Sequence, residues 1–233
     1  MKSKALWIVL GLLFLAVFVL SFMRTPAEIT RMLEAVSRET RSYSTFMHLL
    51  FLAVIGLGLA AKRMRNTLFS FFIAFLSLSA TVIAVMYAIV PNVVIFGTFF
   101  ALILHAWFSK SLNFDFEHIA PVSVSFGTLG LIFGFWYLHW VESPVWLNAL
   151  VSSPLGVVNC PTMATICGFC FLSLSRKPRS AMLEATVALM TLYFGFFGIF
   201  KLGAYVDVTL ILCALFLIVR LGSYVPQRIA DAL

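Results

Sequence analysis

Along the 233-residue chain, apolar runs alternate with short polar breaks. A helix of about 20 apolar residues crosses a hydrocarbon core, and the usable range begins near ~17. The first run is 6–23, preceded by Lys2 and Lys4. The "VLSFM" ahead of Arg24 lacks the small-x-small pattern of a signal-peptide cleavage site. An uncleaved first helix is therefore expected. Further runs follow at 46–61, 68–90, 93–108, 121–140, 182–200 and 206–221, with an interrupted one at 145–174. Pro91-Asn92 marks a tight turn between the third and fourth runs.

A different pattern fills the first gap. Thr25, Pro26 and Glu28 form a capping box with proline at the first helical position. Ile29, Met32, Leu33 and Val36 then share one stripe, while Glu34 and Arg38 pair at i,i+4 on the other face. This predicts an amphipathic helix at about 25–41, lying on the membrane surface or covering the bundle. The alternative use of such a face is to dock a partner. The expected fold is thus all-α: one polytopic transmembrane helical bundle over 1–233, with about eight membrane helices plus one interfacial amphipathic helix.

The interrupted run is a broken or re-entrant segment. Pro144, Pro154, Ser152, Ser153 and Gly156 punctuate its first half. From Pro161 to Leu174 the helix would rise only about 21 Å, short of the ~30 Å core. Proline is accepted in a first turn and not in a helix interior, so a helix is expected to start near Asn159-Cys160-Pro161. Irregular backbone at membrane depth is tolerated only inside protein or beside a polar cavity.

Composition sharpens the class. The chain is 62% hydrophobic and 11% charged, with 25 Phe. A soluble domain of this size would need far more charge on its surface. The net charge of +7 is dispersed in short loops and forms no basic face, so nucleic-acid binding is not expected. Topology explains it instead. With the N-terminus inside, eleven Lys and Arg fall on the inner side and five on the outer. That bias orients both termini to the cytoplasm, in a cytoplasmic membrane if the cell is prokaryotic. Four cysteines, three of them in one helix, do not read as a disulfide framework. No internal repeat of the kind many transporters carry is visible.

Chemistry concentrates at the helix start. A helix N-terminus favours an anion or a thiolate, and Cys160 sits there. Cys160 and Cys167 lie two turns apart, roughly 10 Å by helical rise, so they cannot share one disulfide or metal ion. Cys167 and Cys170 are adjacent and could; small apolar filler is the plainer use of both. Thr162 and Thr165 can satisfy backbone carbonyls near the break. His48, His139, Glu142 and Asp207 fall near the level of Asn159 and Cys160 on the outer side. Such a ring offers metal ligands or a proton entrance. The alternative is an interfacial belt with Trp136, Tyr137 and Trp140. Candidate binding residues are therefore Asn159, Cys160, Thr162, Cys167, Cys170, His139, Glu142, Asp207 and His48. Cys160, Cys167, Cys170 and His139 are the metal candidates.

His105 lies inside an apolar run and either bonds a neighbouring helix or ligates haem, with His118 a poor second ligand. Glu184 caps a helix start and Lys201 snorkels at a helix end. The last run has no lysine for a retinal Schiff base, and no other cofactor is clearly implied. Gly127, Gly130, Gly134, Gly195 and Gly198 suit close helix packing.

At "SPLGVVNCPTMATICGFCFL" the chain faintly resembles an uncharacterised family of bacterial multi-pass membrane proteins, whose late helix opens on a Gly-apolar-x-x-(Cys/Asp)-Pro-Thr pattern. It maps here to Gly156, Cys160, Pro161, Thr162 and Gly168. Asn159 stands where that pattern has proline. The resemblance implies the multi-pass architecture and no activity.

Three function classes are consistent with this chain. The first is an integral subunit or assembly partner of a larger membrane complex, in contact with lipid and with other membrane subunits. The second is a small transporter or channel with an outward-facing site at the broken helix near Cys160. The third is a thiol- or metal-handling membrane protein. Catalysis is not expected, since no nucleophile–base pair stands out.

Overall fold

A computed structural model describes residues 8, 11–12, 15–21, 23–137, 153–174 and 178–230, with backbone alone at 178–179 and 223–230. Among them all regular structure is helical. After helical turns at 15–21 come α1 (Pro26–Glu39), α2 (Arg41–Ala60), α3 (Arg65–Met86), α4 (Val90–Phe108), α5 (Pro121–Phe135), α6 (Asn159–Phe171) and α7 (Pro178–Leu202). A 3-10 turn, Tyr205–Asp207, leads into α8 (Val208–Ala230). Five helical stretches are long and apolar enough to cross a membrane: α2, α3, α4, Ser180–Leu202 and Tyr205–Gly222. This is a helical membrane bundle. The other three expected crossings do not meet that test among the described residues. The run at 6–23 is described only in part, α5 has 15 residues, and α6 has 13.

The capping box forms as its sequence requires. The Thr25 N–H donates to Glu28 Oε2 at 2.8 Å, and the Glu28 N–H donates to Thr25 Oγ1 at 3.3 Å. The Thr25 backbone bond leads in holding the Glu28 carboxyl below its ordinary range. Ile29, Leu33 and Val36 turn inward. They pack on Ile83 and Ala84 of α3, on Ile89, and on Val157 and Val158 just before α6. Tyr87 closes the far end, donating to Glu39 Oε2 at 2.6 Å. So α1 covers the α3–α4 turn and the entrance to α6. Thr25→Ala removes one half of the box, and loss of an N-cap typically costs about 1 kcal/mol. Faster amide exchange confined to α1 is the expected readout.

The turn between α3 and α4 corrects the Pro91-Asn92 expectation. The chain reverses at 87–89, with Ala88 at φ 53°, and Pro91 already lies in the first turn of α4. That position needs no N–H, so proline is compatible with it. Asn92 is thereby moved from a loop to a buried helical site.

At the centre lies α6, with 12 of its 13 residues buried. It packs against α3, α5, α7 and α8. Contact with α5 runs along glycines: a Cβ at Gly130 would sit 2.8 Å from Ala164 O, and one at Gly168 would sit 2.8 Å from Gly127 O. The helix start at Asn159 matches the proline argument. Its rise of about 20 Å is too short to cross alone.

Two of the basic residues counted on the inner side, Arg65 and Arg220, are inside the protein. Arg65 is buried, donates through Nε to Gly58 O at 2.8 Å, and lies 4.4 Å from the Phe116 ring centre. Arg220 is a residue of α8 and forms a buried ion pair with Glu184 at 3.1 Å. Glu184 therefore does more than cap a helix: it is the counter-ion of Arg220.

Candidate functional site

The approach to α6 is fixed by hydroxyl groups. Gly156 has φ +73°, and a Cβ there would also meet Met47 Cε at 2.9 Å. Only glycine combines that backbone with that space. Ser79 Oγ donates to Gly156 O at 2.6 Å, and Tyr43 OH donates to Ser79 Oγ at 2.7 Å. Thr162 Oγ1 accepts the Gly156 N–H at 3.0 Å and donates to Val158 O at 2.6 Å. Thr165 donates to Pro161 O at 3.0 Å. Both threonines thus satisfy backbone near the break, as expected of them.

Held this way, the helix start presents two different faces. On the first, Cys160 Sγ donates to Asp207 Oδ2 at 3.1 Å, and Tyr137 OH donates to Asp207 Oδ1 at 3.0 Å. Asp207 is fully buried, Tyr137 is 1% exposed and Cys160 is 7% exposed. The 3-10 turn brings the carboxyl to this point, and Gly198 of α7 makes room, since any Cβ there would overlap it. Ser153 Oγ receives the Tyr137 N–H at 3.2 Å and donates to Gly134 O at 3.4 Å. No Lys, Arg or His pairs with Asp207 among the described residues. The thiol acts as a donor to a carboxyl, which corrects the expectation of a thiolate at the helix N-terminus. Carboxyl, phenol and thiol are three ionisable groups in hydrogen-bond contact, all of them buried.

On the second face, Asn92 Nδ2 donates to Asn159 Oδ1 at 2.5 Å. Both residues line a cavity of about 370 Å³ bounded by Leu20, Ser21, Met23 and Arg24, by α1, by the start of α4, and by α7. Asn92 is 2% exposed.

The remaining expected site residues divide. His48 is buried in α2, with Nδ1 2.7 Å from Ser44 O and Nε2 2.8 Å from Phe135 O. It ties α2 to the end of α5 and does not open the helix at its edge. Cys167 and Cys170 are buried free thiols in the core, as is Cys213 of α8. No group of three or more His, Cys, Asp and Glu suited to a metal ion occurs among the described residues. Cys160, Cys167 and Cys170 therefore do not form a metal site with the described side chains. His139 and Glu142 lie outside the described residues. His105 is on an exposed face of α4 with no side-chain hydrogen bond among the described residues, so the expected link to a neighbouring helix is not made.

Sequence reasoning missed Tyr137, Asn92 and the Glu184–Arg220 pair as site-forming residues. Tyr137 was hidden among the belt aromatics, and Asn92 in a turn dipeptide. Compared with known protein families, curated proteins and solved structures, the chain matches none of them. The class its fold defines is a helical membrane bundle, with a short buried helix at its centre and a hydrogen-bonded carboxyl at that helix's start.

Proposed function

We propose that the chain is a small membrane transporter or channel protein, with its working site at the broken sixth segment. In this reading eight segments cross or enter a prokaryotic cytoplasmic membrane, both termini are cytoplasmic, and the start of α6 opens toward the outer side. The observation that carries it is Asp207, fully buried and held by Tyr137 and Cys160. Ionisable groups inside membrane bundles are costly, and they mark ion pathways and proton relays. A protein whose work lies only in its outer contacts has no need of one. The short central helix supports the same reading, because discontinuous helices build transporter sites near the bilayer midplane. Asp207 would take up a proton or a monovalent cation, with Tyr137 and Cys160 orienting its oxygens.

The test is flux in proteoliposomes that carry a pH-sensitive dye, under an imposed proton or cation gradient. Wild-type protein should exceed empty liposomes. Asp207→Asn, which keeps the size, removes the ionisable carboxyl and leaves one acceptor oxygen for the two donors Tyr137 and Cys160, should fall to the empty-liposome level while remaining monodisperse. Wild-type protein that gives no flux and leaves native membranes only with stoichiometric partners would favour the complex-subunit reading instead.

A further inference from the structure

We infer that the species Asp207 takes up is a proton and not a metal cation, and that it binds at Oδ2 by displacing the thiol hydrogen of Cys160. This deepens the transport reading by naming its substrate, and it rests on that reading for any movement across the bilayer. The surroundings of the carboxyl separate the two species. Asp207 is fully buried, and each of its oxygens already accepts one hydrogen, Oδ1 from Tyr137 at 3.0 Å and Oδ2 from Cys160 at 3.1 Å. A hard cation takes several oxygen ligands at once. Here one of the two neighbours is sulfur, a soft ligand suited to other metals. A further side is closed by backbone. Gly198 of α7 lies against the carboxyl, where an added Cβ would overlap Oδ2 and stand 3.1 Å from the Asp207 Cβ. That side leaves no gap for a coordination shell. A proton needs neither the room nor the extra ligands.

Charge balance favours the same species. The groups that face Asp207 among the described residues are Tyr137 beyond α5, Cys160 of α6 and the glycine backbone of α7. Lys201, near the end of α7, donates instead to Ser21 O at 3.3 Å. The ion pairs formed among the described residues leave Asp207 out. A buried carboxylate without a counter-ion is costly, and a proton neutralises it in place. Bond counting then selects the oxygen. An ionised carboxyl only accepts, and a protonated one has an O–H to donate. The new hydrogen meets the donor already on that oxygen, so this donor must turn away. A thiol is a weak donor and a weak acceptor, so giving up the bond at Oδ2 costs less than giving up the phenol bond at Oδ1. The step is therefore addition of a proton to Oδ2. The Cys160 S–H rotates off with its hydrogen retained, and the new O–H donates to Sγ. Nothing is oxidised, and Tyr137 keeps its bond. Cys160 is a positioning residue whose thiol reports the state of the carboxyl.

Infrared spectroscopy of the full chain in lipid bilayers tests it, because the S–H stretch and the carboxyl C=O stretch are read in one pH titration. Buffers of equal ionic strength carry choline, sodium or potassium. Aspartate labelled with carbon-13 at its carboxyl assigns the C=O band to that residue type without any substitution. Asp207→Asn and Cys160→Ser then assign each band to its residue. One aspartate C=O band should grow on acidification, and the Cys160 S–H band should shift with the same midpoint. That midpoint should not differ among the three salts. A midpoint that falls in sodium or potassium would show a cation competing for the carboxyl and overturn the inference. So would a thiol band that stays still while the carboxyl titrates, or an Asp207 carboxyl that does not titrate at all. Salt-independent titration with a moving thiol, but no flux in liposomes, would sink the transport reading and leave this one standing. Sodium or potassium flux with a salt-shifted midpoint would do the reverse.

Discussion

Arg220→Met should cost about 3–5 kcal/mol, the usual loss when one partner of a buried ion pair is removed. Three contacts disappear together. Arg220 Nη1 donates to Phe171 O at 2.9 Å, and Nη2 donates to Ser173 O at 2.7 Å and to Glu184 Oε1 at 3.1 Å. Phe171 ends α6 and Ser173 lies just beyond it, so the guanidinium caps carbonyls that have no helical partner. Glu184 is 2% exposed and would keep a charge without this cation. Against a typical total stability of about 5–15 kcal/mol, a loss of that size removes much of the folded protein. Arg220→Lys should also fail, because one ammonium cannot reproduce the planar fork that reaches two carbonyls and a carboxylate. The double variant Arg220→Met with Glu184→Leu should regain part of the loss, since it removes both charges and leaves only the carbonyls uncapped. Thermal melting followed by size-exclusion chromatography orders the four proteins. A single variant that melts with wild type would show that the ion pair does not hold α6 in place.

The features legible in the sequence were local. The capping box of α1 lies within four residues, so Thr25 and Glu28 declared the helix and its inward stripe without tertiary help. Pro161 likewise placed the start of α6, because a proline restricts its own turn wherever the helix lies. Asp207 stood out because carboxylates at the edge of apolar runs are rare in such a chain. Cys160, 47 positions away, was placed at its level without the bond between them, and Tyr137, 70 positions away, read only as a belt aromatic. Arg220 misled for a physical reason. A basic residue near the end of an apolar run reads as a loop charge, and only the packing of α6 and α7 beside it reveals an interior ion pair. Asn92 misled in the same way, since Pro-Asn is a turn signal except where proline occupies the first turn of a helix. The charges that read as loop and boundary residues, Asp207, Glu184, Arg65 and Arg220, are all buried inside the one chain.

Gly134→Ala should be poorly tolerated, although it adds a single methyl group. Its Cβ would overlap Thr165 Oγ1, stand 2.6 Å from Pro161 O and 3.0 Å from Thr165 N. A flexible side chain could turn aside, but two of those atoms are backbone of the first turns of α6. Relief requires α5 and α6 to separate, and α6 is pinned on its other sides by α3, α7 and α8. Overpacking of this kind costs ~1–3 kcal/mol. Separation would also disturb the working site, because Gly134 O accepts from Ser153 and Ser153 in turn receives the Tyr137 N–H. Gly134→Ala is therefore expected to lower the melting temperature and to weaken the hold of Tyr137 on Asp207 in the same variant. Gly56→Ala is the control. No atom lies within 4 Å of the added Cβ there, so the change should be neutral or gain up to about 1 kcal/mol from helix propensity. Equal melting temperatures for the two variants would mean that α5 and α6 are not locked at the point where the site is built.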